Sequence, residues 1–121
     1  LIINDISMYY EKGLKNITII NGNENISLIL QKEKKYLGFI LKHNFFKKDY
    51  LLKNDILIIE KNKKIKNGDY GLFIIDKQYR IMKYMYQDGF YILSDNEKII
   101  LNKINIIGKV IMVERKIKID R

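Results

Sequence analysis

Few side chains of this chain could do chemistry: one histidine and three serines stand among twenty lysines. A lysine set among apolar groups can lose its proton, because burial disfavours the ammonium, and then act as general base on a hydroxyl. Serines that could supply the hydroxyl are few. Ser7 and Ser27 have no suggestive context, and the third serine is Ser94, in Ile92-Leu93-Ser94-Asp95-Asn96. His43 is the only histidine; in His43-Asn44-Phe45-Phe46 it reads as a turn or surface residue rather than a base. Asp49, Asp55 and Asp69 each stand beside turn signals and read as turn formers, not as a metal cluster. The chain has no cysteine, which removes disulfides, thiolate zinc sites and cysteine nucleophiles together. With no glycine-rich phosphate loop and no histidine–carboxylate metal spacing, no cofactor and no metal is expected.

The elements that must position these residues are short strands. Asn16 to Ile20 is β-branched and precedes the turn signal Asn21-Gly22-Asn23; Ile26 to Leu30 alternates loosely as a second strand, and Gln31 to Lys35 is a charged loop. Tyr36 to Leu41 is strand-like. Ile56 to Ile59 is a continuous apolar run, as in a strand buried on both faces. Leu72 to Ile75 and Tyr79 to Met85 flank Asp76-Lys77-Gln78 as a hairpin, Gln87-Asp88-Gly89 turns the chain into Phe90 to Leu93, and Ile106 to Val113 closes the core. Many short strands and no sustained helical period predict a mainly β, barrel-like domain with little helix. A length of 121 residues suits one domain, here residues 16–121 behind an arm or linker at 1–15.

The order of these motifs resembles the C-terminal self-cleaving domain of the LexA and phage-repressor family, which shares its fold with signal peptidases. In that family a serine sits in a Gly-x-Ser-Met turn, and His43-Asn44-Phe45-Phe46 takes the turn's place. The following Gly-Asp is similar to Asn54-Asp55, and the next glycine turn to Asn67-Gly68-Asp69. The family's general-base lysine matches Lys83, its Leu-x-x-Asn step Leu93-Ser94-Asp95-Asn96, and its closing Gly-x-Val strand Gly108-Lys109-Val110. The match spans about two thirds of the chain. What it implies is a Ser–Lys dyad, but Phe45 stands at the nucleophile's place and carries no hydroxyl. His43 replaces a glycine, and the cleavable Ala-Gly bond has no equivalent, since the chain contains no alanine; Asn21-Gly22 is the nearest candidate.

The resemblance therefore implies an inactive, LexA-like domain that dimerises a repressor-type regulator through its last strand. Met112, Val113 and Ile117 are the expected interface. Control by a separate regulatory protein would replace self-cleavage, and DNA would be met only through an N-terminal domain preceding Leu1. No membrane span is expected, and the location expected is cytoplasmic. A diverged peptidase using Lys83 with another hydroxyl is the enzymatic rival. A nucleic-acid-binding β-barrel is the other, built on Lys61 to Lys66 and Tyr79, Tyr84, Tyr86 and Tyr91. The net charge of +9 would fit it, but 20 of the 23 basic residues are lysine, and Ile and Asn are abundant, so the charge reads as compositional drift and a solvated lysine-rich face rather than a functional patch.

Overall fold

A computed structural model of the chain describes residues 3–5, 18–21 and 36–115. Within them nine strands form one sheet: β1 (Ile3–Asp5), β2 (Thr18–Asn21), β3 (Tyr36–Ile40), β4 (Ile56–Lys61), β5 (Tyr70–Ile75), β6 (Gln78–Gln87), β7 (Phe90–Ser94), β8 (Lys98–Leu101) and β9 (Ile106–Glu114). Their order is β1-β2-β3-β4-β9-β5-β6-β7-β8. Only β2 and β3 run parallel; every other neighbouring pair is antiparallel. The mainly β expectation holds. The sheet is open, with β1 and β8 as its edges among the described residues, and it does not close into a barrel. Of the expected arm, only Ile3–Asp5 is described; the strand Ile26–Leu30, the loop Gln31–Lys35, Ser7, Ser27 and Ile117 lie outside the described residues.

Two hairpins form where the turn chemistry predicts them. Asp76 and Lys77 both have positive φ (50° and 64°), as do Asp88 and Gly89 (52° and 83°). Two consecutive positive φ values give the turn whose twist matches the flanking strands, and Asp and Gly are residues that tolerate this geometry. The hairpins set the register of β5 on β6 (Leu72 opposite Ile81) and of β6 on β7 (Tyr84 opposite Leu93).

Both faces of the sheet are apolar. Leu37, Phe39, Leu57, Leu72, Tyr79 and Ile81 pack together on one side, while Phe73, Met82 and Leu93 pack on the other. Neighbours such as Leu72 and Phe73 point to opposite faces, as the period of two requires. That is why Leu57, Ile58 and Ile59 are all fully buried. The sequence did not reveal β8, nor the position of β9. The last strand lies inside the sheet, between β4 and β5, rather than displaying an edge along its whole length.

Candidate functional site

The loop from Leu41 to Asp55 carries the turn that would hold a nucleophile. Its base is closed by two backbone bonds, Leu41 N–H to the Asp55 carbonyl (2.9 Å) and Asn54 N–H to the Leu41 carbonyl (2.7 Å). Asn54 has φ of 76°. A left-handed residue is needed there, so glycine or asparagine fits and most side chains do not. His43 shows no positive φ, and the turn is made without a glycine at its start.

Phe45 is 48% exposed, and its ring stacks on His43 with centroids 4.0 Å apart. The Phe45 N–H donates to His43 Nδ1 (3.2 Å), which fixes that nitrogen as an acceptor. Burial lowers the His43 pKa; Asp95 opposes the shift and Arg80 adds to it. Phe46, by contrast, is buried, edge-on to Tyr70 at 4.7 Å. The two phenylalanines thus divide the work: Phe46 anchors the loop in the core, and Phe45 faces a cleft of about 170 Å³ bounded by His43, Arg80 and Asp95.

Lys83 stands opposite Tyr70 on β5 and opposite Ser94 on β7. From the loop, an ionic contact comes from Asp49, in the 3₁₀ turn Lys47–Asp49, whose Oδ2 lies 3.4 Å from Lys83 Nζ. Tyr70 donates its hydroxyl to the same carboxylate oxygen, and Lys83 Nζ sits 5.8 Å from the Tyr70 ring centroid. Hydrogen bonding from Tyr70, with Lys83 beside it, lowers the Asp49 pKa, while desolvation and Asp49 together raise that of Tyr70. The Lys83 side chain is 45% exposed. This is a lysine paired with a carboxylate at the surface, not one enclosed by apolar groups. Phe45 and Lys83 line different cavities; Lys83 borders a groove of about 310 Å³ with Met85, Ile92, Ser94 and Lys98. Ser94 is the cross-strand neighbour of Lys83, so the two side chains share a face.

Sequence reasoning missed two residues. One is Asp49, the partner of Lys83. The other is Arg115, whose Nε and Nη2 grip the two oxygens of Asp55 (2.7 and 2.8 Å) while Nη2 also reaches the Tyr50 carbonyl (2.9 Å). No spacing rule relates residues so far apart in sequence. The tyrosines form a connected row, Phe73–Tyr84–Tyr91–Tyr86, that covers the rim of the second core. Among the described residues no cluster of histidines and carboxylates could hold a metal ion, and no helix is long and apolar enough to cross a membrane. At the proposed interface, Met112 and Val113 are each about a third exposed, as is Ile111.

A family model described as Peptidase S24-like matches residues 43–111, more than half of the sequence, and the chain belongs to that family. No curated protein matches the chain.

Proposed function

We propose that this is a Peptidase S24-like domain that has given up self-cleavage and works by association, dimerising a repressor-type regulator that a partner protein controls. The observation that carries this reading is the second half of β9. On the β5 side the ladder ends at Lys109 opposite Gly71, so among the described residues Val110–Glu114 is paired only with β4. The same stretch exposes Ile111, Met112 and Val113. A half-paired strand with exposed apolar side chains invites a second strand, and a two-fold axis would supply an identical one. The chain at about 10 µM should sediment as a dimer, a concentration typical of regulatory interfaces. Val113→Lys should give a monomer with an unchanged circular dichroism spectrum. A wild-type monomer at that concentration would sink the reading.

Support for lost cleavage comes from Phe45, which has no hydroxyl, and from Asp49, which engages the lysine a dyad would need. Incubated at alkaline pH, where lysines deprotonate, the chain should release no fragment for days, the small mass change from deamidation at Asn21-Gly22 or Asn67-Gly68 being distinct from cleavage. One observation favours the enzymatic alternative: Ser94 faces the same side as Lys83 across the β6–β7 ladder. A fragment that appears in wild type but not in Lys83→Ala or Ser94→Ala would establish that alternative and overturn ours.

A further inference from the structure

On the face of the sheet that carries Lys83, the register of β6, β7 and β8 lines side chains into cross-strand rows. One row is Lys83, Ser94 and Lys98; the next, two residues along each strand, is Met85, Ile92 and Ile100. The first row is cationic and polar, the second apolar. They lie about 6.6 Å apart, the repeat of an extended chain. Lys83, Ser94 and Lys98 of the first row and Met85 and Ile92 of the second line the groove of about 310 Å³, and Ile100 stands beyond it on β8. Among the described residues Lys98 enters no ion pair, whereas Lys83 shares its charge with Asp49. Ile100 is 61% exposed. Both Lys98 and Ile100 sit on β8, the last strand of the sheet, with no strand beyond it among the described residues.

From this we infer that β8 and the adjoining groove take an extended, acidic segment of a partner protein, added to the sheet as a further strand. Strand addition supplies main-chain hydrogen bonds, and alternate side chains supply the choice of sequence. A strand beside β8 directs every second side chain onto this face. The residue next to Lys98 would be acidic, and the residue two positions away, next to Ile100, would be aliphatic or aromatic. A second copy fits less well: it would bring its own Lys98 to the same face of a chain that already carries a charge of +9. The β6–β8 surface is separate from the half-paired stretch of β9. The inference rests on the reading that the domain acts through a partner, and it names the surface and the chemistry of that partner.

The test uses the whole chain as bait for a phage-displayed library of random twelve-residue peptides, followed by synthesis of the strongest binder. The selected sequences should share an Asp or Glu two positions from an aliphatic or aromatic residue. The synthetic peptide should bind with micromolar affinity and shift the backbone amides of Lys98–Leu101. Lys98→Glu and, separately, Ile100→Thr should each weaken binding at least ten-fold, while thermal melts confirm that both variants stay folded. Failure to enrich any such pattern, or amide shifts confined to other strands, would overturn the inference. A change in sedimenting mass caused by Lys98→Glu would do the same, because it would make β8 a contact between copies. Loss of dimerisation in Val113→Lys bears only on β9. The peptide result and the mass result therefore fail independently.

Discussion

Replacing Gly108 by alanine should be the most damaging single-methyl change in the domain, lowering stability by about 3 kcal/mol or more. Gly108 lies on β9 opposite Lys61 of β4 on one side and Leu72 of β5 on the other. A Cβ there would stand 2.1 Å from the Glu60 carbonyl oxygen and 2.8 Å from its carbon. The obstacle is backbone held in a ladder, so it cannot rotate away as a flexible side chain would. Urea unfolding checks the expectation: the midpoint should fall sharply, or the variant should fail to fold. A midpoint within a few tenths of molar of wild type would show that β4 and β9 separate far more easily than their ladder implies.

Arg115→Ala should follow it in size. The Asp55 side chain is only 2% exposed, and its partners are the Arg115 guanidinium and the Leu52 N–H. Deleting the arginine leaves a nearly buried carboxylate without its counter-charge, which destabilises the fold even though Arg115 itself is 44% exposed and partly screened by solvent, and the melting temperature should drop measurably. The pair also sets a pH dependence. Hydrogen bonding from Arg115, against the opposing effect of burial, holds the Asp55 pKa below its ordinary value. A carboxylate lowered in the folded state stabilises the fold above the ordinary value of about 4 and loses that contribution as pH falls through the folded value. Asp49 acts in the same sense through Tyr70 and Lys83. Wild type should therefore lose stability steadily below about pH 4, and Arg115→Ala should show a shallower slope there. Equal slopes in the two proteins would mean that Asp55 gains nothing from the arginine.

What the sequence made legible was local. The Asp76-Lys77 and Asp88-Gly89 turns and the doubly buried run from Ile56 to Ile59 follow from φ preferences and the period of two. The rest depended on pairing between distant segments. Nothing local to Ile106–Glu114 says that it enters between β4 and β5, because both a central and an edge strand can read as apolar. Lys98–Leu101 is short, and the charge of Lys98 hid it. Asp49 read as a turn former, which it is, but its carboxylate also captures Lys83 from another strand. Met112 and Val113 were found exposed as expected, yet on a strand that is only half displayed.

The central place of β9 has a consequence during synthesis. Residues 106–114 leave the ribosome after every other described strand, yet β4 and β5 have no ladder to each other without them. Until then β4 can pair only with β3, and the β5–β8 meander stands as a separate hairpin stack. Both would expose the row of unpaired backbone that β9 later fills. The nascent chain thus carries an open edge at β4 for the time needed to make some forty-five residues, from Lys61 to Ile106, and a second at β5 for about thirty of them, from Ile75 onward, a few seconds at ordinary elongation rates. Completion by the last strand links partners far apart in sequence, Ile56 with Glu114 and Lys61 with Gly108. Contacts of that range slow folding. Protection from chaperones should accordingly matter most before residue 114 emerges, and a chain ending near residue 105 should be held by them rather than released.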